Sequence, residues 1–101
     1  FKAGNKKITV RALTAADESV SCNVLFVPAY KAKALPVLLD KIGNTATLII
    51  TNKTDMAKKG SGVNFVLVNG RLQYEINCRS IERRGMKIPA NIKGMGIIVE
   101  N

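Results

Sequence analysis

Val63-Asn64-Phe65-Val66-Leu67-Val68-Asn69-Gly70-Arg71-Leu72-Gln73-Tyr74-Glu75-Ile76 is the stretch that decides the fold. Asn-Gly is the preferred pair for a two-residue type I′ turn, whose two central residues both need positive φ. Folding the flanks about Asn69-Gly70 sets Leu67 opposite Leu72, Phe65 opposite Tyr74, Asn64 opposite Glu75 and Val63 opposite Ile76. Val63, Phe65 and Leu67 then share one face with Leu72, Tyr74 and Ile76. Asn64, Arg71, Gln73 and Glu75 share the other with Val66 and Val68. A slip of one residue would destroy that agreement between the strands. The apolar face is expected to be the buried one, with Phe65 and Tyr74 packed in the core.

Just before the hairpin, Gly60-Ser61-Gly62 frees the chain to turn. Thr54 to Gly60 reads as a short helix, with Thr54 as N-cap, Asp55 at its positive end and Lys58-Lys59 at its negative end. Earlier, Cys22 to Val27 and Thr45 to Thr51 are continuous apolar or β-branched runs, the pattern of strands buried on both faces. Between them a helix is expected at about 35–42, with Pro36 in its first turn and Gly43 ending it. Lys6 to Leu13 alternates polar and apolar residues as a half-buried strand, after a turn signal at Gly4-Asn5. Beyond the hairpin, Asn77 caps a short helix stopped by Gly85. Residues 90–96 read as weak helix and Ile97-Ile98-Val99 as a terminal strand.

Strands alternating with helices give an α/β fold. The expected architecture is a mixed, mainly parallel sheet with flanking short helices and a β-hairpin in the C-terminal half. The strand–helix–strand unit from Cys22 to Thr51 is a parallel crossover. The 101 residues hold no linker or repeat, so a single domain over residues 1–101 is expected.

Composition bears on chemistry. There is no His, which removes Ser-His-Asp and Cys-His catalysis, His-ligated zinc and any imidazole switch. Seven carboxylates are scattered over helix ends, turns and exposed strand positions, and two cysteines lack metal-ligand spacing. No catalytic residue, cofactor site or metal site is expected, and the chain reads as a non-enzyme. Lys58-Lys59-Gly60-Ser61-Gly62 has the composition of a phosphate loop but not its order, since the lysines precede the glycines and a strand follows. Cys22 and Cys78 fall at the same end of the expected sheet, and three states stay open: free thiols, a disulfide, or pairing with an outside partner.

The net charge of +9 suits nucleic acid, anionic lipid or an acidic protein face, and equally a solvated basic surface. The hairpin carries no aromatic–basic platform on an exposed face, so nucleic acid is disfavoured. No apolar run is long enough to span a membrane. The sequence opens at Phe1 rather than Met, and a trimmed or processed product is expected.

Several segments together resemble the YfiR-like family of bacterial periplasmic domains. Gly60-Ser61-Gly62-Val63-Asn64-Phe65 is similar to the family's G-G-x-I-x-F start, with Ser61 in place of the second glycine. Gly70-Arg71-Leu72-Gln73-Tyr74-Glu75-Ile76-Asn77 resembles its G-R-x-x-F-E-I-N core, and Gly85-Met86-Lys87-Ile88 its G-L-x-I continuation. Cys22 to Val27 resembles its C-H-V-L-F-I strand, and Leu48 to Thr51 with Met56-Ala57 its L-T-V-S-D…F-A segment. Gly60, Gly62, Asn69, Gly70, Arg71, Glu75, Asn77 and Gly85 are therefore the motif residues, each with a structural reading. The resemblance implies a first strand and helix ahead of the part seen here, which are expected to be missing, and a leucine-rich last helix that Ala90 to Gly96 does not match.

The resemblance implies a periplasmic, non-enzymatic, protein-binding regulator, of the kind that represses a membrane-bound diguanylate cyclase and so lowers cyclic di-GMP signalling and biofilm formation. Its implied partner is a membrane-anchored sensor or an outer-membrane lipoprotein, and its stability is implied to respond to cysteine oxidation. Two other classes compete. A small-ligand receptor would hold an anion at the carboxyl ends of the parallel strands, around Pro28 to Lys31 and Thr51 to Thr54. A basic nucleic-acid-binding protein would rest on charge alone. Without those elements Val24, Phe26, Leu48 and Ile50 lack a cover, so a homodimer, or a separate fragment of the same protein completing the fold, is expected.

Overall fold

The structure is a computed structural model and describes residues 2–3, 6–7, 23–43 and 45–99. A small antiparallel pair, β1 (Lys2–Ala3) and β2 (Lys6–Lys7), is followed by the main sheet. That sheet contains β3 (Val24–Val27), β4 (Leu48–Thr51), β5 (Val63–Val68), β6 (Arg71–Ile76) and β7 (Ile97–Ile98), side by side in chain order. Neighbours pair in parallel except β5 and β6, which form the hairpin. The fold is thus α/β with a mixed, mainly parallel sheet. Of the strand expected over Lys6 to Leu13, Lys6 and Lys7 form β2 while Ile8 to Leu13 lie outside the described residues, as does Cys22.

The hairpin has the register read from sequence at every pair, including Phe65 opposite Tyr74 and Asn64 opposite Glu75. Asn69 and Gly70 take φ of +52° and +77°, as a type I′ turn demands. Between β3 and β4, a 3-10 segment over Ala29–Ala34 leads into α1 (Leu35–Ile42). Pro36 lies in the first turn of α1, and Gly43, at positive φ, donates its N–H to Leu39 O to end it. Leu35, Leu38 and Ile42 recur on one face and pack with Ala32 and Met56 against Leu25, Val27 and Ile49. Each such buried aliphatic side chain contributes about 1.5–3 kcal/mol. Asn77 caps α2 (Cys78–Arg83), its Oδ1 accepting from Ser80 N, and Gly85 follows at φ +79°. A third short helix, α3 (Ala90–Met95), precedes β7.

Three expectations are corrected. The first concerns β3 and β4, which are not buried on both faces: α1 covers the Leu25, Val27 and Ile49 side, while Val24 and Phe26 stay 54% and 52% exposed. The second concerns the hairpin, whose apolar face is not wholly buried. At its tip Leu67 and Leu72 are 74% and 68% exposed, whereas Asn64, on the polar face, is fully buried. Alternation identifies two faces, but the placing of the helices decides which is inside. The third is the helix at Thr54 to Gly60, where the chain instead forms successive turns. Asp55 takes φ +69°, which breaks a right-handed helix in its first turn, and Met56 and Ala57 tuck into the interior.

Candidate interaction face

A buried polar seam holds the sheet in shape. Asn64 sits on β5 opposite Glu75, and its amide uses every hydrogen-bonding position it has. Nδ2 donates to Lys53 O at 2.8 Å and to Glu75 Oε1 at 3.0 Å. Oδ1 accepts from Thr51 Oγ1 at 2.6 Å and from Lys53 N at 3.2 Å. The Thr51 and Ser61 hydroxyls lie 2.8 Å apart, and Ser61 Oγ donates to Val63 O. Lower in the sheet, Asn77 Nδ2 donates to Ala57 O and Ser80 Oγ to Gly60 O. The chain from Lys53 to Ser61 has no regular secondary structure, so these bonds satisfy its buried backbone groups.

The motif residues take their places around this seam. Gly60 has φ +114°, and a Cβ there would stand 2.8 Å from Leu39 Cδ1. Gly62 is wedged between Leu48 and Ile81, donates its N–H to Ile49 O, and accepts from Asn77 N. Glu75 on β6 and Asn77, the N-cap of α2, secure the seam, while Asn69, Gly70 and Arg71 form the exposed hairpin tip and Gly85 follows α2. Cys78 opens α2 as a half-buried free thiol. Sequence reasoning missed Thr51, Ser61, Asn64 and Ser80 as buried polar residues. The available signal was Asn64 opposite Glu75, a polar pair midway along two otherwise apolar strands. Arg84 was also missed: it is buried, donates through Nη1 to Ser80 O and Ser80 Oγ, and leaves Nε without a partner. Desolvation first, and the neighbouring charge of Arg83 second, lower its pKa from the ordinary guanidinium value.

On the opposite side of the sheet lies an open apolar face. Register places Val24 and Phe26 beside Leu48 and Ile50, then Val63, then Ile76. Phe65 and Tyr74 extend it as an edge-to-face pair with ring centroids 6.4 Å apart. Its far margin is closed. Tyr74 Oη donates to Ile92 O of α3, and Gly96 lies against the Tyr74 and Ile76 side chains so closely that a Cβ would meet them at 2.6 and 2.7 Å. From β3 across to the hairpin tip, Val24, Phe26, Leu67 and Leu72 stand in solvent. Exposed apolar surface of this kind is where proteins, membranes or ligands make contact. Among the described residues no cluster of His, Cys, Asp or Glu could hold a metal ion, and no helix is long and apolar enough to cross a membrane.

The family model for YfiR/HmsC-like proteins matches residues 2–94. The chain belongs to the YfiR/HmsC-like family. No curated protein and no solved structure matches it significantly. The family is known for periplasmic regulators of diguanylate cyclases rather than for catalysis. In this YfiR/HmsC-like domain, the family motif serves the seam: Ile76 and Asn77 are buried, the half-buried Glu75 accepts from Asn64, and Gly60 and Gly62 allow the close approach of Leu39, Leu48 and Ile81.

Proposed function

We propose that this domain is a non-enzymatic regulator of the periplasm that acts by binding another protein, repressing a membrane-bound signalling protein of the diguanylate cyclase type. Family membership over residues 2–94 carries the reading. The geometry supports it: the buried polar groups of the seam are occupied in holding backbone, and the sheet offers an open apolar face bounded by Val24, Phe26 and Phe65. Removing the protein from its source organism is expected to raise cyclic di-GMP, and restoring it to lower the level again. An unchanged level would contradict repression of a cyclase.

A further inference from the structure

β3, β4 and β5 run in parallel, so their carboxyl ends meet at one end of the sheet. Asn64 is the last β5 residue paired with β4, and Phe65–Val68 run on beyond it with β6 as their partner. The hairpin therefore overhangs the sheet by roughly 13 Å, at about 3.3 Å per residue. Its tip is amphipathic. Leu67 and Leu72 are exposed on one face, and Arg71 and Gln73 are exposed on the other. At the same end, the segment after β3 carries Tyr30, 84% exposed, with Lys31 and Lys33, and the segment after β4 carries Lys53. Among the described residues, the exposed cations Lys31, Lys33, Lys53 and Arg71 thus share this end with one exposed carboxylate, Asp55, and with the projecting leucines and Tyr30.

We propose that this end of the domain docks on an anionic lipid surface. Leucine and aromatic side chains on a projecting tip fit the boundary between headgroups and acyl chains, and tyrosine is favoured at that depth. Lysines bury their stems beside apolar surface and keep their ammonium groups at the phosphates. The charge is complementary to lipid headgroups, whereas a second copy of a chain of net +9 would bring like charges together. Docking this way would hold the open sheet face beside membrane-bound proteins. Leu67 and Leu72 are the overhanging end of that face, so lipid would take the hairpin tip and leave the part over β3 and β4 to a protein partner.

The test is co-sedimentation of the 101-residue chain with vesicles of phosphatidylglycerol and phosphatidylcholine, against vesicles of phosphatidylcholine alone. Each basic residue at an anionic surface adds roughly fivefold in affinity, so a preference of roughly a hundredfold for the anionic vesicles is expected at low salt. It should fall steeply as salt is added. Lys31→Glu/Lys33→Glu should erase the preference, and Leu67→Ser/Leu72→Ser should weaken binding about tenfold, both keeping the circular dichroism of the parent. Equal binding to both vesicle types, or binding to neither, would overturn the proposal. So would undiminished binding by the leucine variant, and so would a dimer that buries the tip and ignores vesicles. No partner protein is present in this assay, so its failure leaves the regulatory reading standing.

Discussion

Asn64, itself fully buried, donates through Nδ2 to the half-buried carboxylate of Glu75 across the hairpin. That bond sits on the face of the sheet that reads as polar, while the apolar face opposite carries the exposed Leu67 and Leu72. Asn64→Leu would leave Thr51 Oγ1, both Lys53 backbone groups and Glu75 without this partner. Thr51 is the buried residue among these, and a buried group left unsatisfied costs about 1–3 kcal/mol before relaxation, while the half-buried Glu75 and the Lys53 backbone lose their bonds at smaller cost. A net loss of about 2–4 kcal/mol in urea unfolding is expected. A loss below about 0.5 kcal/mol would show that the seam is decorative.

The two central turn residues need positive φ, and Gly70 is at +77°. Gly70→Val forces a β-branched side chain into that region and should cost about 1–3 kcal/mol by thermal or chemical unfolding. Gly70→Asn should cost much less, since asparagine tolerates the left-handed region. Equal losses for the two variants would refute the turn assignment.

Two glycines should respond in opposite directions to the same substitution. Gly60→Ala places a Cβ 2.8 Å from Leu39 Cδ1 at φ +114°, and a loss of about 1–3 kcal/mol is expected. Gly94 lies in α3 with open space where a Cβ would go, so Gly94→Ala should raise stability by about 0.5–1 kcal/mol. Melting temperatures that move in the same direction would count against the packing described for one of them.

Much of the backbone was legible because short-range chemistry dictates it. Asn69-Gly70 and the matched strands set the hairpin register, Pro36 and Gly43 bound α1, and Asn77 caps α2. Thr54 to Gly60 was misread because Asp55 and the buried Met56 and Ala57 answer to tertiary contacts rather than helix propensity. The candidate site was less legible for a related reason. Val24, Phe26, Leu67 and Leu72 look like core residues in sequence; the landing of α1 on the other side of β3 and β4 leaves the first two outside, and the overhang of the hairpin beyond β4 leaves the two leucines outside. The seam was hidden because single Thr, Ser and Asn residues inside strands and turns resemble ordinary surface residues.

The two sides of the sheet give a direct contrast in leucine truncation. Leu38 is buried on the core-facing side of α1, and Leu38→Ala should cost about 2–4 kcal/mol by loss of burial and creation of a cavity. Leu72→Ala removes the same atoms from solvent and should change stability by less than about 0.5 kcal/mol. Similar costs at the two sites would mean that the open face is covered in solution.

The central claim is that the domain works through its open apolar face, and the most direct test is capture of a partner from envelope fractions of the source organism. Wild-type protein and a Val24→Asp/Phe26→Asp variant would be compared at matched circular dichroism and melting temperature. The account predicts that wild type retains a membrane protein and that the variant loses it. Retention of the same protein by both, with equal recovery, would contradict the assignment of function to that face.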